Sequence, residues 1–158
     1  MKTPIVKDEA RLRVPSLPVE FDAKTRKAAH SLVLAASGVN RALGLAAPQI
    51  GVRRRMFHYD LSRYPHAGIP TRGVVCNPTV IDSSGSWDRE EGCLSFPRKI
   101  VVVRRPSAAT FEWFTVDGER CEATLSGMAA RVWLHETDHL DGILMFDRQA
   151  DDTRVVVL

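Results

Sequence analysis

The sequence predicts a single α+β domain over residues 1–158, on the strength of three observations. The chain has 158 residues, of which 44% are hydrophobic, a size that suits one compact domain. Short runs rich in β-branched and aromatic residues fill its middle, and strongly helical segments lie on either side of them. Strands and helices segregated in this way are typical of α+β proteins. We expect antiparallel or mixed sheets around a central helix, with one further helix near the N-terminus.

The first helix is predicted over residues 23–37. Asp22 is suited to its N-cap, and Gly38 or a residue soon after it to its end. The apolar residues that share one side at helical spacing are Ala28, Ala29, Leu32 and Ala36. Residues 43–51 follow as a run of small residues interrupted by Pro48, and they fit neither a helix nor a strand. Such a segment lets another group approach its backbone closely.

The strands are predicted from five short runs. The first three cover residues 55–60, 73–77 and 100–104. Residues 109–116 and 119–125 flank Asp117-Gly118, the two-residue signal of a tight hairpin, which indicates antiparallel pairing.

The second helix is predicted from Met128 to Leu140. Ser126 is a suitable N-cap, and Gly142 is placed to end the helix. The tail, residues 155–158, is more strand-like than helical.

Composition excludes several classes of protein. The chain has 22 Lys+Arg against 19 Asp+Glu, and the resulting charge of +3 is too small and too dispersed to favour nucleic-acid binding. No apolar run approaches the roughly 18 residues of a membrane span, and the first residues lack the apolar stretch of a secretory signal. We therefore expect a cytoplasmic protein with no membrane partner. Its three widely spaced cysteines, Cys76, Cys93 and Cys121, do not indicate a disulfide framework.

A metal site is predicted from the H-E-x-x-H pattern of His135, Glu136 and His139, which falls inside the second helix. The i, i+4 spacing puts both imidazoles on one face, where they can reach one metal ion. Glu136 then lies beside the metal and can handle a water proton. The alternative is two histidines on a solvated helix face with a chance glutamate between them.

A third ligand is required, because catalytic sites usually combine three protein ligands with a water. No His or Glu follows His139, so the downstream candidates are aspartates only: Asp141, Asp147, Asp151 and Asp152. Upstream, Cys93 offers a thiolate that with two imidazoles suits Fe(II) or Zn(II). The alternative for Cys93 is a small buried apolar residue, which is the interpretation we prefer for Cys76 and Cys121.

Three segments together resemble the motifs of the peptide deformylases. They are Gly44-Leu-Ala-Ala-Pro-Gln49, Glu91-Gly-Cys-Leu-Ser95 and His135-Glu-Thr-Asp-His139, in this order and at these separations. Each motif alone has limited specificity, but the three in register are highly specific. The resemblance implies the α+β deformylase fold built around the H-E-x-x-H helix.

By this resemblance, Cys93, His135 and His139 hold a divalent metal. It is ferrous iron in most bacterial members, and zinc, nickel or cobalt can replace it. Glu136 is then the general base and afterwards the general acid. The side-chain amide of Gln49 and the backbone N–H of Leu94 form the oxyanion hole, which agrees with the neutral donors that such a hole needs.

The resemblance also implies the substrate, an N-formylmethionyl peptide on a newly made protein, from which formate is released. Leu43 and Gly44 would pair through their backbone with the peptide as an added strand. Val132 and Met128, one and two turns before His135 on the same side of the helix, would line the methionine pocket, although both also suit an ordinary core. The implied partners are this peptide and a transient proximity to the ribosome, and we expect a monomer.

The chain departs from the family pattern at three positions. Ala42 stands where the first motif usually begins with Gly, and alanine is costly there if the backbone requires a positive φ. Leu134 replaces the usual Gln before His135, and Trp133 is bulkier than the usual aliphatic residue. Two alternatives stay open: a short paralogue or H-E-x-x-H peptidase acting on another substrate, and a catalytically silent metal-binding homologue.

Overall fold

The computed structural model describes residues 3–158, so Met1 and Lys2 lie outside the described part of the chain. The helices are α1 (Glu9–Leu12), α2 (Ala23–Ser37) and α3 (Gly127–Leu140). The strands are β1 (Gly44–Ala46), β2 (Met56–Asp60), β3 (Arg72–Ser84), β4 (Trp87–Cys93), β5 (Phe96–Arg105), β6 (Ala108–Phe114), β7 (Arg120–Ser126) and β8 (Val156–Val157). Short 3-10 turns cover Ala47–Ile50 and Met145–Arg148.

The strands form two sheets, and every strand pairing within them is antiparallel. The larger sheet has the order β1-β2-β3-β6-β7, and the smaller has the order β4-β5-β8. Since β1 stands at one edge of the larger sheet, one side of it is not covered by another strand of that sheet. The predicted α+β class is confirmed, and both sheets are antiparallel.

The sequence locates α2 and α3 well because their ends carry explicit signals. The side chain of Asp22 accepts the backbone N–H of Thr25 at 2.8 Å, which caps α2 as predicted. Gly142 has a φ of 72° and follows α3, as expected of a glycine that ends a helix. Ser126 is the N-cap of α3 but makes no side-chain capping bond. Among residues 3–158, no helix is both long and apolar enough to cross a membrane.

Two elements are absent from the sequence-based prediction. Helix α1 is a single turn, too short for a periodic pattern. Strand β4 carries four consecutive charged residues, Asp88 to Glu91, and most of its side chains are exposed, so it lacks the apolar alternation of a half-buried strand.

The prediction that residues 43–51 form neither helix nor strand is wrong. The segment divides into β1 and the 3-10 turn Ala47–Ile50, whose second residue is Pro48. β1 pairs with β2 through the register Gly44↔Tyr59 to Ala46↔Phe57. The residues of β1 are small and have little preference for strands, so side-chain propensity does not predict it. Its pairing with β2 defines the strand instead.

Helix α3 lies at the centre of the core, and Trp133 is the residue around which that core is packed. The Trp133 side chain is fully buried. Four other aromatic rings lie with their centroids 4.8 to 5.4 Å from it, at tilted or edge-to-face angles: Phe57, Tyr59, Phe111 and Trp113. This cluster fixes α3 against the larger sheet two residues before His135.

Replacing Trp133 by phenylalanine is expected to change the free energy of unfolding by less than about 1 kcal/mol, because two effects oppose each other. The smaller ring leaves a void that costs about 1–2 kcal/mol. The indole Nε1 is buried without a hydrogen-bond partner in the described chain, and removing such a donor recovers about 1–3 kcal/mol.

Urea unfolding monitored by far-ultraviolet circular dichroism measures this difference. Trp113→Phe is the matched control: its indole nitrogen is not among the buried unpaired atoms, so only the void counts. If Trp133→Phe lowered the free energy of unfolding by well above about 2 kcal/mol, the two effects would not offset each other.

Candidate active site

A cluster of three metal-ligating side chains forms where α3 meets the end of β4. The ligand atoms of Cys93, His135 and His139 all lie within 4.8 Å of one another. Cys93 Sγ is 3.3 Å from His139 Nε2. A tetrahedral metal with ordinary bond lengths to sulfur and nitrogen would separate two such ligands by about 3.6 Å. The cluster therefore fits a divalent metal ion.

The number of ligands distinguishes a catalytic site from a structural one. In the described part of the chain the cluster contains three protein ligands. A structural zinc site normally closes with a fourth protein ligand, whereas a catalytic site keeps a position for water or substrate. The other histidines lie outside the cluster: His30 is in α2, His58 is in β2, and His66 accepts the backbone N–H of Ser126 at 3.3 Å.

Glu91 orients His135, a contact that the sequence analysis did not identify. Its Oε2 lies 2.9 Å from Nδ1 of His135. Because Nδ1 is engaged in this way, Nε2 of His135 is the nitrogen left to bind a metal. A carboxylate behind a ligating histidine fixes the tautomer and the orientation of the ring.

Two buried arginines hold Glu91 in turn. Arg105 donates to both carboxylate oxygens, through Nε at 2.6 Å and Nη2 at 3.0 Å, and Arg131 Nη1 donates to Oε1 at 2.6 Å. Burial alone would raise the pKa of Glu91, but the hydrogen bonds from His135 and Arg105 hold it well below its usual range. Glu91 is therefore a carboxylate anion that ties β4, β5 and α3 together.

Asp138 extends the same network on the other side of Arg105. It accepts Arg105 Nη1 at 2.7 Å and Arg148 Nη2 at 3.0 Å. One sequence signal could have found Arg105: Val101 and Val103 precede it at alternate positions of a strand, so all three residues face the interior. An arginine that continues a buried apolar alternation indicates a buried carboxylate partner.

Glu136 lies beneath the backbone of β1 with one carboxylate oxygen free. A Cβ added at Gly44 would lie 2.7 Å from both Cγ and Cδ of Glu136, so only glycine allows this approach. Oε2 of Glu136 is buried and has no hydrogen-bond partner in the described chain. Burial raises the pKa of Glu136 to about 7. The side chain can accept or donate a proton near neutral pH.

Gln49 is held beside the cluster by its own turn. Its Oε1 accepts the N–H of Ala46 at 2.9 Å, and Nε2 donates to Ser95 Oγ at 3.1 Å. Nε2 also lies 3.5 Å from Cys93 Sγ. The amide therefore presents N–H groups, rather than its oxygen, toward Cys93.

A cavity of about 390 Å³ connects these groups. Its lining comes mainly from three parts of the chain: residues 41–44, residues 90–94 and helix α3. Of the residues predicted to contact a substrate, Leu43, Gly44, Leu94, Met128 and Val132 all line it, as do Gln49 and Glu136. Arg131 also lines it, and the sequence analysis did not identify this residue.

The main-chain groups of Gly44 face this cavity. The carbonyl of Leu43 accepts the N–H of Asp60 at 2.9 Å, so Leu43 directs its backbone toward β2. Successive residues of an edge strand direct their polar groups to opposite sides, so Gly44 directs its N–H and C=O away from β2. Of the two residues predicted to pair with a peptide, Gly44 is therefore the one whose backbone is available.

The loop before β1 takes a left-handed turn at Arg41, where φ is 67°. Ala42 does not have a positive φ. The residue at position 42 is therefore not strained, and a Cβ there carries no conformational cost of the kind considered from the sequence.

Cys93→Ala is expected to lower the metal content sharply, because it removes one of three ligands. Cys76→Ala and Cys121→Ala are matched controls that should retain the metal, since neither thiol belongs to the cluster. Cys76 is also buried, and burial raises its pKa to about 11, which keeps it a neutral thiol. Metal per chain is measured by mass spectrometry of desalted protein. Unchanged stoichiometry in Cys93→Ala would remove Cys93 from the ligand set.

Comparison with known proteins gives one consistent result. The family model of polypeptide deformylase matches residues 2–155. A peptide deformylase of Acidothermus cellulolyticus is 38% identical over 151 residues, covering 93% of this chain and 78% of that protein. The crystal structure of the Thermotoga maritima peptide deformylase superposes with a TM-score of 0.84 and 33% identity, covering 95% of this chain and 99% of the other.

Other relatives are matched over less of their length. A Thermotoga neapolitana peptide deformylase is 41% identical over 107 residues, which are 67% of this chain. The matched segment spans 61% of that relative, and the one shared with the Thermotoga petrophila protein spans 66%. The chain thus covers less than two thirds of the length of these Thermotoga relatives.

Proposed function

Since this chain belongs to the polypeptide deformylase family, we propose that it is a metal-dependent amide hydrolase acting on newly made proteins. It removes the formyl group from their N-terminal formylmethionine and releases formate. One observation carries this proposal: a buried carboxylate with a free oxygen, Glu136, shares a cavity with a three-ligand metal cluster and with the free edge of a strand. A purely structural metal site needs neither the carboxylate nor the cavity.

Cys93, His135 and His139 would hold the metal. One thiolate and two imidazoles form a soft to borderline set, which supports Fe(II) as the native ion and Zn(II), Ni(II) or Co(II) as replacements. When bound, such an ion acts as a Lewis acid and brings the pKa of water toward neutrality. Glu91 keeps the His135 ring in position for it.

Glu136 moves the protons of the reaction. Its carboxylate takes a proton from the attacking water as the water oxygen bonds to the formyl carbon. It then gives that proton to the amine nitrogen as the C–N bond breaks, so that formate and a free N-terminus leave. A pKa of about 7 supports both roles, because a group that titrates near the working pH can both accept and donate.

Gln49 and Leu94 stabilise the oxygen on which charge develops. The Nε2 group of Gln49 lies next to Cys93, and the backbone N–H of Leu94 follows Cys93 directly in the chain. Neutral donors fixed at this place stabilise an oxyanion without a change of protonation. The hydrogen bonds of Gln49 to Ala46 and Ser95 hold the amide in this orientation.

The substrate extends the larger sheet by one strand. Gly44 at the edge of that sheet pairs with the peptide backbone, and the side chain of Leu43 lines the same wall. Met128 and Val132 contact the first side chain of the peptide, for which an unbranched apolar residue such as methionine fits best.

The cellular setting follows from this substrate. We place the protein in the cytoplasm, near ribosomes that carry nascent formylated chains, acting as a monomeric single domain without direct contact to nucleic acid. Sedimentation at the mass of one chain, 17.6 kDa, would agree with the monomer, and sedimentation at twice that mass would contradict it.

The decisive experiment is turnover of a formyl peptide by protein purified without oxygen and loaded with Fe(II) or Ni(II). Formate release from formyl-Met-Ala-Ser is compared with acetate release from acetyl-Met-Ala-Ser and with formate release from formyl-Glu-Ala-Ser. We expect turnover of the first and little of the other two. Comparable rates on acetylated peptides, or none on formyl-Met peptides with the metal complete, would favour the paralogue or the silent homologue.

A further inference from the structure

A second cavity adjoins the first and has a cationic wall. It has a volume of about 370 Å³ and shares residues 41–43 with the active-site cavity. Arginines at three positions line it, Arg41, Arg63 and Arg72, together with a single carboxylate, Asp60. Residues 41–43 therefore border both the active-site cleft and a region of net positive charge.

Two of these arginines have no acidic partner. Among residues 3–158, neither Arg41 nor Arg63 has a carboxylate within 4.0 Å, the limit for an ion pair. Arg72 lies 3.9 Å from Asp60, which also accepts the N–H of Ser62 at 2.9 Å. The charge of the two free guanidinium groups is thus available to a ligand.

The direction of a bound peptide brings its later residues to Arg41. The reacting end of the cleft lies at Gly44 and Gln49, beside Glu136. From Gly44 the wall continues through Leu43 and Ala42 to Arg41. A peptide whose first residue is at Gly44 therefore runs antiparallel to β1, and its second and third residues approach Arg41.

We propose that Arg41, supported by Arg63, is a specificity-determining residue that favours formyl peptides carrying a carboxylate at the second or third residue. The inference rests on the proposed function, because the peptide must occupy the cleft in order to reach Arg41. One exposed acid, Glu90, lines the active-site cavity and would favour a basic peptide instead. Across the two cavities the exposed Arg41, Arg63 and Arg72 outnumber Glu90 and Asp60, so the net preference is for an acid.

The test compares peptides of equal shape and different charge, all with amidated C-termini. They are formyl-Met-Ala-Asp, formyl-Met-Ala-Asn and formyl-Met-Ala-Lys, together with the series that carries Asp or Asn at the second residue. Exposed ion pairs are weak, so we expect kcat/KM for Asp to exceed that for Asn about two- to fivefold at low salt. The ratio should approach one in about 0.5 M salt, where the charges are screened. A formyl-Met-Ala-Asn peptide with a free C-terminus shows whether a terminal carboxylate acts like the side chain.

Arg41→Gln should bring the Asp-to-Asn ratio close to one, and it keeps a Cβ at the left-handed position. Arg154→Gln is the matched control: it removes one exposed positive charge that lines neither cavity, and the ratio should stay as in the wild type. Equal rates for Asp and Asn peptides in the wild type, or a preference for Lys, would overturn the inference and leave the proposed function intact. Absence of turnover for every formyl-Met peptide would overturn both.

Discussion

Glu136→Gln is expected to retain the metal and to lose turnover by at least about 10²- to 10⁴-fold, the amount that general acid–base catalysis supplies. The amide keeps the size of the side chain beneath Gly44, but it can neither take a proton from water nor pass one to the leaving amine. The loss should appear in kcat for formyl-Met-Ala-Ser, with KM little changed, because Glu136 acts on the reacting atoms rather than on the peptide backbone.

Metal content separates this role from that of a ligand. Glu136→Gln should bind one metal per chain like the wild type, whereas Cys93→Ala should not. A variant that loses the metal and the activity together would make Glu136 a ligand or a determinant of the fold. A variant that keeps more than about a tenth of the wild-type kcat would show that another group moves the protons.

Glu91→Gln is expected to destabilise the fold by about 3–5 kcal/mol, the usual cost of leaving a buried charge without its partner. Arg105 and Arg131 are both almost completely buried, and Glu91 is their shared carboxylate. Glutamine keeps the shape of the side chain but cannot balance two guanidinium groups. The same change should weaken metal binding about 10- to 100-fold, because a neutral amide holds and polarises the His135 ring less strongly than the carboxylate does.

Asp88→Asn is the matched control, since it makes the same chemical change on the same strand. Asp88 pairs with Arg104 at the surface, and exposed pairs contribute little to stability. Urea unfolding of the metal-free proteins isolates the effect on the fold, and titration with Ni(II) measures the effect on the site. Equal stabilities for Glu91→Gln and Asp88→Asn would refute a structural role for the buried network.

The sequence predicts the parts of this molecule that depend on local signals. Asp22 and Gly142 mark helix ends through backbone chemistry that acts within a few residues, so α2 and α3 are located accurately. The i, i+4 spacing of His135 and His139 is likewise local. In contrast, β1 exists only because it pairs with β2, and the charged strand β4 because it pairs with β5, so neither is visible in its own residues.

The candidate site also has parts that local motifs predict and parts that only the folded structure reveals. The residues that meet in the cavity are predicted through three motifs far apart in the chain, and the structure brings these motifs together. The buried support of His135 is not predicted, because Glu91, Arg105 and Arg131 come from three different elements. In the sequence these charged residues cannot be told from ordinary surface residues, because only the packing of the fold buries them. The sequence analysis considered a positive φ at Ala42, whereas the structure has it one residue earlier, at Arg41. The path of the loop, rather than the residue type, sets the sign of φ.

The shortness of the cavity wall at residues 41–44 has a consequence for the range of peptides that the proposed activity would accept. Only Gly44 of β1 lies along the proposed peptide path, which continues to Arg41, so at about 3.4 Å per residue these four residues offer roughly 14 Å of backbone for a peptide to follow. Under the proposed function, only the first few residues of a nascent chain would be held in this way, and the residues beyond them would not contact the protein. Such a short template would suit the proposed activity on many different new polypeptides, because it would ignore most of each sequence.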